Sequence, residues 1–316
     1  MARVNVGMVE KVAETIKNLS LEVRALDFTE EDKFPAVGDP GALDYFFAVT
    51  MHDYGFWIGD KKGYVKPLYG EVDGRRLKGS DLLWTLSMRA YREKGPEFFN
   101  PNKLAKLEYD EFIKWLPEKY GFQDLADRYK MTVKYGQRFL SFQKLSQSLE
   151  TLVQVVNEYV DSLGAFIDIS NSIPGYDQDP LYKKNFLIAM ILASRPEKFL
   201  KVSPEEKWPP IVDYHLMRVA LRLGLIELSL IEYDQLIRRV YVDSWTEAQI
   251  RKATFDAIEM AISLSGKPMS EVDFLFWSAR RYCPEMMKPD CSKCCFDDVC
   301  KKRVQLFQPV LRTTNY

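Results

Sequence analysis

All five cysteines of the chain lie in one short C-terminal segment, and their spacing is the clearest chemical signal. Four follow the pattern Cys283-x7-Cys291-x2-Cys294-x5-Cys300, and Cys295 directly follows Cys294. A compact group of thiolates is typical of a metal site rather than of scattered structural thiols. Four such ligands suit a [4Fe-4S] cluster or a tetrahedral zinc ion. The spacing alone leaves both open, beside the alternative of reduced thiols without metal.

A second candidate for chemistry is Asp213, in the run IVDYHLMRV that covers residues 211–219. The prolines within residues 204–210 disfavour helix before this run, so we expect a helix from Asp213 to about Leu223. A carboxylate there could stabilise the positive charge that develops on a sugar when an N-glycosidic bond breaks, or deprotonate the attacking water. The competing interpretation is a simple N-cap, since Asp is common at that position.

The remaining sequence is mostly helical in pattern. Hydrophobic periodicity predicts helices over residues 5–19, 80–94, 149–163, 181–194, 213–223, 246–265 and 270–281. The sequence predicts a loop over residues 29–41 and burial of the aromatic run 44–57. A small antiparallel β-sheet is expected near residues 55–79, with turns at 60–63 and at Asp73-Gly74.

The composition is that of an ordinary globular protein, with 47% hydrophobic and 28% charged residues in a chain of 316. The net charge of −1 gives no basic excess, which argues against tight duplex binding and favours a small or single-nucleotide substrate. No apolar stretch is long enough to span a bilayer, and the N-terminus lacks a signal-peptide pattern. We therefore expect a cytoplasmic protein without a membrane partner.

The cysteine segment, residues 282–301, resembles the C-terminal cluster loop of the endonuclease III family of DNA glycosylases. The likeness includes Pro289 before the second ligand and the acidic pair Asp297-Asp298 before the last. The family has six residues between its first two ligands, and this chain has seven. The resemblance implies iron, as a structural [4Fe-4S] cluster on the four spaced cysteines, with zinc as the alternative.

The same family has a Val-Asp-x-His-x-x-Arg run before its cluster loop, and its aspartate is the catalytic carboxylate. Asp213 is at the matching position, so the resemblance implies that it is catalytic. The chain departs from the family in having no Gly-rich DNA-binding hairpin between residues 181 and 210 and no lysine in the context of the family's nucleophile. Both differences weaken the case for duplex DNA binding and lyase chemistry.

From about residue 41 to 280 the chain resembles the queuosine salvage protein family, whose members are N-glycosidases that release queuine from queuosine or its 5′-monophosphate. The similar segments are residues 50–58, 82–95, 135–143, 181–194 and 208–224. That family's catalytic aspartate also falls on Asp213, and its following tyrosine on Tyr214. His215 replaces the family's arginine and agrees instead with the endonuclease III pattern.

These resemblances imply a pocket for a planar base. Aromatic side chains could enclose the ring, and polar ones could bind its edge or the sugar. The candidate substrate-binding residues are Asp53, Phe56, Trp57, Trp208, Tyr214 and His215. For Phe56 and Trp57, an ordinary place in the core is an equal alternative.

The predicted fold is therefore mostly α, a DNA-glycosylase-like helical fold with a small antiparallel sheet. We expect one domain over residues 1–316, with two possible lobes (about 1–130 and 131–281) and a cluster loop at 282–303. The predicted function is an N-glycosidase of the queuosine-salvage type, acting on a modified nucleoside or nucleotide. The alternatives are a DNA base-excision glycosylase, whose partner is DNA, and a non-catalytic nucleic-acid-binding iron–sulfur protein.

Overall fold

The computed structural model describes residues 1–19, 27–142 and 148–316, and over these ranges the chain is mostly helical, as predicted. The α-helices are α1 (Val6–Asn18), α2 (Ala42–Thr50), α3 (Ser80–Lys94), α4 (Pro101–Leu104), α5 (Tyr109–Trp115), α6 (Leu125–Phe142), α7 (Leu149–Val156), α8 (Ser162–Ser170), α9 (Lys183–Ser194), α10 (Tyr214–Leu223), α11 (Leu230–Arg238), α12 (Ser244–Ser265) and α13 (Met269–Ala279). The strands are β1 (Arg3–Val4), β2 (Trp57–Gly59), β3 (Tyr64–Pro67), β4 (Tyr69–Val72), β5 (Arg75–Lys78) and β6 (Ile226–Glu227).

The chain divides into two compact units, each built from segments that are distant in sequence. The first unit contains Met1–Ala25, Gly59–Lys66 and Trp208–Arg312. The second contains Leu26–Ile58, Pro67–Lys207 and Thr313–Tyr316.

In the first unit, α10 lies at the centre of the packing. All ten of its residues are buried, and it packs against α12 and α13. Helix α1 packs along α12 through its buried face, which includes Val9, Val12 and Ile16. Strands β1 and β6 pair antiparallel, with Arg3 opposite Glu227. Because α10 is packed on every side, the backbone at its N-terminus is held in a defined position.

In the second unit, α2 is the buried element, since eight of its nine residues are buried. Its Tyr45 meets the ring of Phe99 edge-on, with centroids 5.1 Å apart, and Phe99 meets Trp115 in the same way at 5.0 Å. The indole N–H of Trp115 donates to the Ser87 hydroxyl at 2.8 Å. The prediction that the aromatic run 44–57 is largely buried is confirmed.

The predicted strand region contains two separate two-stranded pairs, β2–β3 and β4–β5, rather than one sheet. Strands β4 and β5 pair antiparallel and are joined by Asp73 and Gly74, as the sequence predicted. Both turn residues have positive φ, 50° and 73°, which is the type I′ geometry that matches strand twist.

The predicted continuous helix over 149–163 is wrong, because the chain forms two helices there, α7 and α8. Between them Tyr159 and Val160 are exposed, Val160 to 98%, although their spacing had placed them on the buried face. The Asp161 side chain accepts a hydrogen bond from the Gly164 N–H and so caps the N-terminus of α8. The resembling segment 135–143 ends at residue 143, which lies outside the described residues.

Helix α11 was not predicted, although its sequence holds a capping box. The Ser229 hydroxyl accepts the Glu232 N–H, and the Glu232 carboxylate accepts the Ser229 N–H. This reciprocal pattern is a recognised signal for a helix start. In the described ranges, no helix has the length and hydropathy that a bilayer crossing requires.

Candidate functional site

Asp213 lies immediately before α10, where the sequence predicted it, and it caps that helix. Its Oδ1 accepts the backbone N–H groups of His215, at 2.8 Å, and Leu216, at 2.9 Å. The side chain is half-buried. A helix N-terminus stabilises negative charge, so the capping interaction both orients this carboxylate and favours its ionised form. Both cap bonds are made by one of its two oxygens.

The two residues before Asp213 are anchored by neighbouring helices. The Ile211 N–H donates to Oδ1 of Asp273 on α13 at 2.9 Å, and Nε of Arg251 on α12 donates to the Val212 carbonyl at 3.2 Å. Both anchoring side chains are buried. Asp213 is therefore positioned by contacts from three helices. Sequence reasoning missed Arg251 and Asp273, because each falls within an ordinary helical pattern and shows its role only by tertiary contact.

A buried polar network follows Asp213 on the same helix. One guanidinium N–H of Arg218 donates to Nδ1 of His215 at 2.9 Å, and another donates to the Gln308 side chain at 3.0 Å. Because a guanidinium only donates, Nδ1 of His215 accepts, and the neutral ring carries its proton on Nε2. The His215 ring centroid lies 4.1 Å from that of Tyr214.

Glu285, from the segment after Cys283, joins this network. Its Oε1 lies 3.6 Å from Arg218 and 3.8 Å from His215, while its Oε2 accepts the Tyr64 hydroxyl at 2.8 Å. Burial, followed by the charge of Glu285, raises the pKa of Tyr64 far above its ordinary value. This phenol therefore stays protonated and acts as a donor. Glu285 is therefore a carboxylate partner of Arg218 within the buried interior.

A second buried arginine, Arg222, connects α10 to both ends of the cysteine segment. Its guanidinium donates to the Cys283 sulfur at 3.3 Å and to the Pro284 carbonyl at 2.8 Å. Its own carbonyl accepts the Cys300 thiol at 3.6 Å. The first and last of the four spaced cysteines therefore contact the C-terminal end of α10, the helix that begins after Asp213.

All four spaced cysteines belong to the first unit. The pKa of Cys300 is raised by burial and by the nearby thiols of Cys283, Cys294 and Cys291. The Lys302 N–H donates to the Cys300 sulfur at 3.2 Å, an interaction that cluster-ligating thiolates commonly receive. Across the described part of the chain, however, no group of three or more His, Cys, Asp or Glu side chains is arranged to hold a metal ion.

In the second unit, Asp53 is buried and paired, a result that the sequence did not predict. Its Oδ1 lies 2.5 Å from Nζ of Lys183, at the start of α9. Phe56 and Trp57 are 4% and 8% exposed, so protein atoms already cover most of both rings. Without a ligand, these two aromatic side chains therefore belong to the packed interior of the unit.

His52 lies in the interior of the second unit, fully buried. Its Nε2 lies 2.8 Å from the Thr132 hydroxyl, and its ring meets Trp115 edge-on at 5.2 Å. Burial, followed by the charges of Arg128 and Lys184, holds the pKa of His52 well below its ordinary value. The ring is therefore neutral, and its contacts are those of a structural residue.

The second unit also contains an open cleft of about 830 Å³ between α8, the start of α9 and residues 206–207. Aromatic side chains Tyr159, Tyr182 and Phe186 line it together with Asp161 and Asp168. None of the residues predicted to bind substrate lines this cleft.

The predicted site residues are divided between the units. Asp213, Tyr214, His215 and Trp208 belong to the first, where Trp208 is half-buried, and Asp53, Phe56 and Trp57 belong to the second. No protein-family model matches the chain, and neither does any curated protein. The function is therefore proposed from residues and geometry.

Proposed function

We propose that the protein is an N-glycosidase that cleaves the bond between a base and a sugar in a modified nucleoside or nucleotide of the queuosine type. Asp213 is the carboxylate that stabilises the developing sugar cation or activates the water. The water's hydroxyl group ends on the sugar carbon, and its proton goes to the departing base. Of the candidate base-binding residues, Trp208, Tyr214 and His215 belong to the same unit as Asp213.

One observation carries this proposal: a half-buried carboxylate held at the N-terminus of a fully buried helix. Catalysis by charge stabilisation requires a group whose position is fixed before the reaction begins. The cap bonds fix Oδ1 of Asp213, and the anchors from Arg251 and Asp273 fix the backbone before it. An exposed capping aspartate on a surface helix would have none of this support.

We also propose that Cys283, Cys291, Cys294 and Cys300 hold a [4Fe-4S] cluster, with zinc as the alternative. The spacing of the four cysteines and the N–H donors to the sulfurs of Cys283 and Cys300 support this proposal. Such a cluster, when bound, would brace the C-terminal segment; no catalytic step is assigned to it. Cys295 hydrogen-bonds Cys294 and lowers the pKa of that thiol to about 7.

The proposed activity can be tested directly with purified protein. Incubation with queuosine 5′-monophosphate should release free queuine, which chromatography with mass detection would measure. The Asp213→Asn variant is the matched negative control, because it keeps the helix cap. Intact substrate after prolonged incubation with wild-type protein would reject the queuosine-type assignment.

The second candidate is a DNA base-excision glycosylase of the endonuclease III superfamily. The pairing of His215 with Arg218 favours it, since both residues belong to the run that this family shares. Lesion-bearing duplex DNA would then yield abasic sites, which alkali cleaves. If neither queuine nor abasic sites form, the result favours the third candidate, a non-catalytic nucleic-acid-binding iron–sulfur protein.

A further inference from the structure

The open cleft of the second unit lies along a face of α8 that carries small side chains. Gly164 and Ala165 line this face between Asp161, the N-cap residue, and Asp168. Helix positions three, four and seven residues apart share one face. A Cβ on Gly164 would lie 2.3 Å from Oδ2 of Asp161, so this carboxylate lies directly over the glycine. The small side chains therefore leave room above the helix, with a carboxylate at each end of it.

Three aromatic side chains line the same cleft, and all three remain accessible to a ligand. Tyr159 is 58% exposed, and Tyr182 and Phe186 are half-buried. The rings of Tyr182 and Phe186 meet edge-on, with centroids 6.4 Å apart. In the same unit Phe56 and Trp57 are covered by protein atoms. The rings of the cleft therefore offer apolar surface that a bound molecule could cover.

Tyr182 is held at the cleft in a left-handed backbone conformation, with φ at 54° and ψ at 33°. Side chains other than glycine rarely adopt it. The buried Asp179 supports it from both sides. Its Oδ1 accepts the Leu181 N–H at 3.0 Å, and its Oδ2 accepts the Lys183 N–H at 2.7 Å. Strain of this kind persists where the surrounding structure fixes it, and it is frequent where proteins hold ligands.

Carboxylates outnumber cations around the cleft. Asp161, Asp168 and Glu206 line it, and among its described lining residues Lys207 is the single lysine or arginine. The hydrogen bond from the Gly164 N–H lowers the pKa of Asp161, so this carboxyl is ionised at neutral pH. A cavity lined mainly by one sign of charge attracts ligands of the opposite sign. The cleft therefore favours a cation and repels a nucleotide phosphate.

We propose that this cleft is a binding site for a small organic cation that joins a planar ring to a protonated amine. The ring of the ligand lies against Tyr159, Tyr182 and Phe186, and aromatic faces also attract the positive charge. Asp161 and Asp168 bind the ammonium group by charge-assisted hydrogen bonds. The volume of about 830 Å³ suits a small molecule. All lining residues belong to the second unit, so the site is independent of Asp213 and of the proposed function.

Tryptamine and indole-3-propionate are matched probes for this site, because they share the indole ring and carry side chains of opposite charge. In calorimetric titrations of the wild-type protein, tryptamine should bind at least about tenfold more tightly, since the lining carboxylates attract it and repel the other probe. Thermal unfolding of each variant beside wild type checks that the fold is kept.

Three variants locate the bound probe. Ala165→Leu should weaken tryptamine binding by about tenfold, because leucine occupies space above α8 that the ring needs. Asp168→Asn should weaken it by about threefold, the scale of one exposed ion pair. Asp168 is exposed, so this change leaves the packing intact. Asp127→Asn is the matched control, since Asp127 is an exposed aspartate of the same unit, on α6, outside the cleft lining. It should bind tryptamine as wild type does.

Two results would overturn the cation site. If tryptamine binds the wild-type protein no more tightly than indole-3-propionate, or does not bind at millimolar concentration, the cleft does not select a cation. If Ala165→Leu and Asp168→Asn both bind tryptamine like the control, the probe binds elsewhere. Neither result bears on base release, and a failed glycosidase assay leaves this test unchanged.

Discussion

Asp213 combines two roles that are usually hard to separate. As an N-cap it contributes to helix stability, and as a half-buried carboxylate it is the proposed catalytic group. Asparagine caps helices about as well as aspartate but has no negative charge. The chain offers a second aspartate cap, Asp243, whose exposed side chain accepts the Thr246 N–H at the start of α12.

The first prediction compares these two caps. Asp213→Asn should reduce base release by about a hundredfold to a thousandfold, a typical scale for losing a group that stabilises transition-state charge. Thermal unfolding should show little change in stability. Asp243→Asn should leave both turnover and stability near wild type. Turnover in Asp213→Asn equal to wild type would leave Asp213 with the capping role alone.

Lys184 supports a prediction about pH at the same scale. Burial, followed by repulsion from Lys183, lowers its pKa to about 7 in the folded protein, against an ordinary value of 10.5. Above pH 7 the folded protein holds a neutral amine while the unfolded chain still binds the proton. The unfolded state therefore binds more protons between these values, and this group makes stability rise with pH.

The measurement is urea denaturation of wild type and Lys184→Met between pH 6 and pH 10. As the pH rises across this range, the free energy of unfolding of the wild type should increase by a few kcal/mol relative to that of the variant. One pKa unit corresponds to about 1.4 kcal/mol. The comparison cancels the titration of other groups. A difference that stays constant with pH would show that Lys184 keeps an ordinary pKa.

At the scale of elements, contact between α4 and α6 depends on a single glycine. A Cβ on Gly136 would lie 2.3 Å from the Ala105 nitrogen and 2.5 Å from the Pro101 carbonyl oxygen. Both are backbone atoms, so they cannot move aside without shifting a helix. Gly7, on α1, has no atom within 4 Å of the same position.

Gly136→Ala should therefore destabilise the protein by about 1–3 kcal/mol through overpacking. Gly7→Ala should be neutral or stabilising by up to about 1 kcal/mol, because alanine is the better helix former. Chemical denaturation of both variants beside wild type checks the pair. Equal stability of the Gly136→Ala protein would contradict the close packing of these helices.

At the scale of the whole molecule, the cysteine segment is the feature that the composition already marked as unusual. Its thiols lie against α10 through Arg222, so a metal there would brace the helix that carries Asp213. Removing one ligand should then weaken the first unit as well as the metal site.

Purified under anaerobic conditions, the protein should be brown and contain iron rather than zinc by elemental analysis. Cys283→Ser should lose most of the iron and lower the thermal midpoint, because Cys283 is one of the four proposed ligands and its sulfur also accepts a hydrogen bond from Arg222. Cys295→Ser should keep its iron, since that thiol is not among the four spaced ligands. A colourless wild-type protein that contains zinc would support the alternative metal.

The sequence alone determined the helical class, most helix positions, the Asp73-Gly74 hairpin and the place of Asp213 at a helix start, because these depend on local periodicity and turn chemistry. Only the tertiary structure decided that Lys183 and Lys184 are buried, that residues 149–163 form two helices, and that Arg251 and Asp273 anchor Asp213. Each of these depends on partners 30 or more residues away or on which helix face meets a neighbour. A periodic pattern describes a single helix or strand, and it does not specify which atoms of another element will contact it.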